Sequence, residues 1–325
     1  MTEPIRRSMT SATLVLAVLL CAPAAGAGKW MVTRSDAVQR INADIKPDVP
    51  TVDVAIYYPS SLDPPFAARL PLDGAVLEQF VRAKEIFAVA GVQLNLLWVK
   101  TGEIDPAFLE IQSNDMSGRT PGGAHVNMYR DNRRETSVLS PEALRAFETI
   151  IERDPANDRT VYLVVLQNVF MSFFERVDER TWQLRTISTG GLSFPSYSYG
   201  GIPRRLRGVI TIDKDDPLKR IVAHELGHKV MNVSHEYRDT DPQHEVRAEG
   251  GLMLYGGGTE IASGREGRWH KERLHLSPYV YRQGKDGKKL WNPDYKEGGH
   301  YYDPIYGDKV VDFAPAAYVA PEKSK

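Results

Sequence analysis

The chain of 325 residues is 42% hydrophobic, 9% aromatic and 26% charged, a composition that excludes disordered and fibrous classes. Its 41 Lys plus Arg balance 42 Asp plus Glu, giving a formal net charge of -1. No overall field would hold it on nucleic acid or on an anionic membrane, and no local basic patch stands out.

The first 27 residues read as a signal peptide. Arg6 and Arg7 precede the apolar run SATLVLAVLLCAPAA, and Ala25, Gly26 and Ala27 form a small-x-small cleavage site. The strongly apolar stretch is about a dozen residues, short of the roughly 20 that a spanning helix needs. This predicts a secreted or periplasmic protein with no stable membrane insertion after cleavage. The adjacent arginines do not separate Sec from Tat export. Cys21 raises a lipoprotein alternative, which Leu20 disfavours because a small residue is expected before a lipidated cysteine. Cys21 is the only cysteine, so the cleaved chain has neither disulfides nor thiolate ligands, and any metal must be held by His and carboxylates.

Residues 28–50 are mixed and polar and read as an N-terminal arm. From 51, TVDVAIYY alternates as a half-buried strand, with Val52, Val54, Ile56 and Tyr58 on one face. Val76, Phe80, Ala83, Phe87 and Ala90 recur at helical spacing, and Gly91 stops that helix. Val92, Leu94, Leu96 and Trp98 alternate as a second strand, completing a strand-helix-strand unit that predicts a parallel pair. Residues 101–139 form a long loop excursion rich in turn-forming residues. Ser140 and Pro141 then start a helix over 141–153, with Leu144, Phe147 and Ile151 on one face.

TVYLVVL at 160–166 suits a central strand covered on both faces. GLSFP at 191–195 suits an edge strand, because Pro195 cannot donate to a ladder. RGVITID at 207–213 returns to the sheet. Asp216 as N-cap and Pro217 as first helical residue predict the start of the helix LKRIVAHELGHKVM. Beyond 233 the chain is irregular, with one further helix signalled by the Ser263/Glu266 capping box. The class predicted is α/β in the broad sense: a mixed twisted sheet with helices over 51–232 and an irregular C-terminal part over 233–325.

Chemistry concentrates in His224, Glu225 and His228, the HELGH of that helix. Positions four apart on a helix differ by about 40° and about 6 Å, so both imidazoles can share one ion. Glu225 is next to them, placed to take a proton from activated water without ligating. The plainer alternative is two histidines on a structural helix. Catalytic zinc commonly has three protein ligands. His235 follows His228 by seven residues and can reach the ion only if the helix ends between them, which Asn232 suits by tolerating left-handed backbone.

HELGHKVMNVSH followed by GGLMLYGG resembles the metzincin clan of zinc metallopeptidases, whose pattern is HExxHxxGxxH with a later methionine turn beneath the metal. The third histidine comes one residue late, with Met231 at the family glycine's position and Asn232 as its substitute. The order of elements over 51–232 is also similar, apart from the added helix at 141–153. The resemblance implies a zincin-like α+β fold, a Zn2+ cofactor, His224, His228 and His235 as ligands, Glu225 as general base and Met253 in the turn. It further implies that Tyr255, two residues after Met253, stabilises the oxyanion, and that GLSFP pairs with an extended peptide or protein substrate.

Three further candidates for the third ligand are Glu249, in a gluzincin-type spacing 21 residues after His228, and the loop residues His244 and Asp241. His125, His270, His275 and His300 read as ordinary surface histidines. A zinc-holding periplasmic binding module without turnover is the alternative of a different class. It would have no use for the carboxylate of Glu225.

Overall fold

The computed structural model describes residues 30–62, 75–118, 137–154, 159–178, 180–194, 199–200, 202–214, 220–232, 251–253, 260–261, 270–271, 273–292, 301–302 and 310–311. The leader with Cys21, the Asp216/Pro217 and Ser263/Glu266 signals, and Asp241, His244, Glu249, His235, Tyr255, His125 and His300 lie outside the described residues.

In chain order, β1 (Met31–Thr33) and α1 (Ser35–Ile41) precede β2 (Thr51–Pro59), α2 (Ala75–Ala88) and β3 (Gln93–Gly102). Short strands β4 (Glu110–Gln112), β5 (Asn114–Asp115) and β6 (Ser137–Leu139) lead to α3 (Pro141–Ile150) and β7 (Val161–Leu166). The hairpin of β8 (Asn168–Arg176) and β9 (Trp182–Thr189) runs through Gly190 into β10 (Gly191–Ser193). β11 (Tyr199–Gly200), β12 (Val209–Asp213), α4 (Ile221–Met231), β13 (Val280–Gln283) and β14 (Lys289–Trp291) follow.

The main sheet is mixed, in the order β1-β3-β2-β7-β12-β10, with the β13/β14 hairpin attached to β2. β2 runs parallel to β3 and β7, and β7 parallel to β12, so the strand-helix-strand unit around α2 builds the predicted parallel pair. The outer strands β1 and β10 are antiparallel to their neighbours. Gly191–Ser193 of GLSFP therefore supplies the expected edge strand, and Pro195 lies outside the described residues. Among the described residues, no helix is long and apolar enough to cross a membrane.

Three local expectations need correcting. β2 is buried along its whole length, because partners on both sides make it central rather than half-exposed. Its one charge, Asp53, is correspondingly paired: it accepts from Asn95 at 2.8 Å and the Tyr281 hydroxyl at 3.0 Å, and it meets Lys289. On β3 the alternation breaks at Leu97, where the pairing with β2 skips from Leu96 to Trp98. This bulge flips the phase, so Val99 is buried and Trp98 only partly so. Residues 28–50 contribute β1 and α1 to the body of the fold. Trp30 is buried there with its ring centroid 4.8 Å from that of Tyr57.

α3 starts as predicted: the Ser140 hydroxyl accepts from the Ala143 amide at 2.9 Å, with Pro141 in the first turn. It ends at Ile150, and Phe147 on its buried face meets Phe194 at 5.2 Å between ring centroids. Phe194 immediately follows β10, so α3 helps fix the end of the edge strand.

Candidate metal centre

Every residue of α4 from Ile221 to Met231 is buried. A helix enclosed all round must partner each polar side chain within the protein. The described helix starts at Ile221, with Arg220 in a turn before it. It packs against α2, β10 and β12. Its C-terminus is at Met231, where Asn232 adopts φ 54°, ψ 54°. The helix thus stops between His228 and the sequence position of His235, and asparagine supplies the left-handed residue.

His224 and His228 meet as their spacing predicts, with Nε2 atoms 3.2 Å apart and rings nearly perpendicular at 86°. Two imidazole nitrogens at 2.0–2.1 Å from one tetrahedral ion would lie about 3.3 Å apart, so the pair fits zinc. The orientation of His224 is set from behind. Its Nδ1 donates to the Leu252 carbonyl at 2.7 Å, and Arg220 donates to the same oxygen at 3.0 Å. A carbonyl only accepts, so the proton sits on Nδ1 and the Nε2 lone pair faces His228. Burial, with lesser contributions from His228 and Arg220, holds His224 well below the usual imidazole range. The neutral ring is the form that binds a metal.

Leu252 is held by its own amide, which donates to the Glu260 carbonyl at 2.5 Å. The next residue, Met253, is buried against the helix at Gly227. A Cβ at Gly227 would lie 2.5 Å from Met253 Sδ and 3.1 Å from Met231 Cε, so glycine lets the two methionine side chains pack directly on the helix. The 251–253 segment therefore both supports the helix and orients a proposed ligand.

Glu225 projects toward β10. A Cβ at Gly191 would lie 2.9 Å from Glu225 Cγ and 3.1 Å from Oε1, and also 2.9 Å from Ile221 Cγ1. The predicted general base thus lies against the predicted peptide-pairing strand. Gly191→Ala is expected to lower unfolding free energy by about 1–3 kcal/mol, the usual cost of overpacking. Urea denaturation checks this, and an unchanged midpoint would show that the contact relaxes freely.

Four features of the site are not read from its motif: the Leu252 carbonyl, Gly191, Lys229 and Arg273. Lys229 is buried on α4, where its ammonium donates to the carbonyls of Phe194 at 2.7 Å and Arg207 at 2.6 Å. Burial pushes its pKa down to about 7, while the nearby Glu225 carboxylate pulls the other way. The buried Arg273 donates through Nε to the Met231 carbonyl at 2.9 Å, at the C-terminus of α4 where a cation is favoured.

Of the histidines read as surface residues, His275 is exposed as expected, whereas His270 is buried. His270 lies one helical turn before Arg273, and the exposed His275 has its Nε2 3.0 Å from the Ala90 carbonyl. Among the described residues, no group of three or more His, Cys, Asp or Glu side chains gathers to hold an ion. The two imidazoles are the described part of the candidate centre. No protein-family model matches the chain, and no curated protein matches it.

Proposed function

We propose that this chain is an exported zinc-dependent metallopeptidase with a zincin-like, metzincin-like fold, acting on peptides or proteins in the periplasm or outside the cell. The observation that carries the reading is the His224/His228 pair, with Nε2 atoms 3.2 Å apart and one tautomer fixed by a backbone carbonyl. His235 is the third proposed ligand, reached after the turn at Asn232.

Zinc bound at these histidines would supply Lewis acidity, lowering the pKa of water and polarising a peptide carbonyl. Glu225 takes the proton from the attacking water and delivers it to the departing amine. β10 offers its outer edge to an extended substrate, whose backbone would pair antiparallel beside Glu225. Tyr255 donates a hydrogen bond to the oxyanion as charge develops. The placement of Glu225 against this edge favours an enzyme over a zinc-holding binding module, which would gain nothing from a carboxylate there.

Metal removal tests the proposal. The purified mature chain is expected to carry zinc and to cleave a peptide mixture read by mass spectrometry. Exhaustive chelation should abolish cleavage, and added zinc should restore it. Cleavage that persists in the metal-free chain, or a zinc-loaded chain that cleaves nothing, would reject the peptidase reading.

A further inference from the structure

We infer that Lys229 is a positioning residue that ties the candidate catalytic helix to the edge strand β10 and so fixes the strand that would receive the peptide. This deepens the proposed function and rests on it where peptide binding is concerned. The tether itself is a property of the fold.

A buried lysine is costly to desolvate unless its ammonium is fully engaged. Here it donates to two backbone oxygens, Phe194 just beyond β10 and Arg207 just before β12. β10 and β12 are antiparallel neighbours, with Ser193 opposite Ile210. The ammonium therefore joins the adjacent ends of both strands to α4. At the other end of β10, Gly191 lies against Ile221 and Glu225 of the same helix.

These two attachments are separated on both elements. Glu225 to Lys229 is one helical turn, a rise of roughly 6 Å, while Gly191 to Phe194 spans roughly 10 Å of extended chain. A strand held at one end can pivot about that contact. Held at both, it keeps a fixed distance and register to Glu225. The Phe147 ring restrains the Phe194 side chain, but the ammonium holds its backbone. An edge strand has a ladder on only one side, so this bond replaces restraint that a central strand receives from a second neighbour.

The mechanism gives Lys229 no contact with reacting atoms. Loss of its donors is expected to loosen β10, weakening peptide pairing equally in the ground and transition states and so raising KM more than lowering kcat. Lys229→Met keeps the stem and removes the donors. Hydrogen exchange on zinc-loaded full-length mature protein should show faster exchange of the 192–194 segment by about tenfold or more, while β2 and β7 stay protected. With a peptide substrate, KM should rise about tenfold with kcat within about threefold and zinc content unchanged. Lys229→Arg, which keeps cationic donors, should recover at least part of both effects.

If Lys229→Met is recovered only unfolded, Lys229→Gln, which retains one amide donor group, decides the question by the same local comparison. Unchanged exchange at 192–194, or acceleration spread evenly over the whole sheet, would overturn the tether. A KM unchanged despite local loosening would overturn its role in peptide binding. Exchange needs no turnover, so failure of the tether is separable from failure of the peptidase reading.

Discussion

Glu225→Ala is expected to lower peptide hydrolysis by about 10²- to 10⁴-fold, the range for a positioned general acid-base group, while zinc content stays that of the wild type. The two outcomes separate because Glu225 leaves the helix toward β10, whereas the facing nitrogens belong to His224 and His228. Alanine also opens space against Gly191, so a loss of activity with Ala alone would mix chemistry with repacking. Glu225→Gln keeps the shape and removes the base. Both variants should therefore lose activity to a similar extent, with kcat carrying the loss. Activity within a few-fold of wild type in Glu225→Gln would remove Glu225 from its assigned role.

The helix bearing these residues was legible in sequence because three signals coincide there: a four-residue histidine spacing, a strand before it and a residue fit for left-handed backbone after it. The outcome at Asn232, φ 54°, follows from what an asparagine side chain permits. The described helix begins at Ile221, and the Asp216/Pro217 signal upstream of it lies outside the described residues. Periodicity erred where the sheet imposed a non-local demand. Nothing in TVDVAIYY shows that Asp53 will meet Lys289, 236 positions away, nor that Leu97 will bulge against β2.

The β8/β9 hairpin was illegible for a related reason. Phe173 and Phe174 are adjacent and point to opposite faces, and both are partly buried, so neither a two-fold nor a 3.6-fold period emerges. At the site, what sequence left out was mostly backbone. Leu252 contributes a carbonyl and Gly191 contributes closeness, neither of which depends on a recognisable side chain. Lys229 differs. An ammonium on a helix that the fold buries all round must find carbonyls, and only the fold shows which ones.

His235→Ala is expected to weaken zinc binding as severely as His224→Ala or His228→Ala, measured by competition with a chelator of known affinity at fixed pH. Loss of a proposed ligand should cost at least the 10- to 100-fold typical for losing an outer partner of a ligand. The described imidazole pair provides two nitrogens, and a catalytic zinc commonly takes a third protein ligand. Asn232 turns the chain out of the helix three residues before His235. Had α4 continued, His235 would lie roughly 10 Å along the axis from His228, beyond any imidazole's reach of a shared ion. The turn removes that obstacle, and Arg273 secures it by binding the Met231 carbonyl. Glu249→Ala provides the opposing measurement. Normal zinc affinity in Glu249→Ala with loss in His235→Ala supports the metzincin-like ligand set, whereas the reverse assigns the third position to the carboxylate and makes the centre gluzincin-like. In the second case the turn at Asn232 would serve to end the helix without delivering a ligand, while the His224/His228 pair and its Leu252 support would keep their place in either centre.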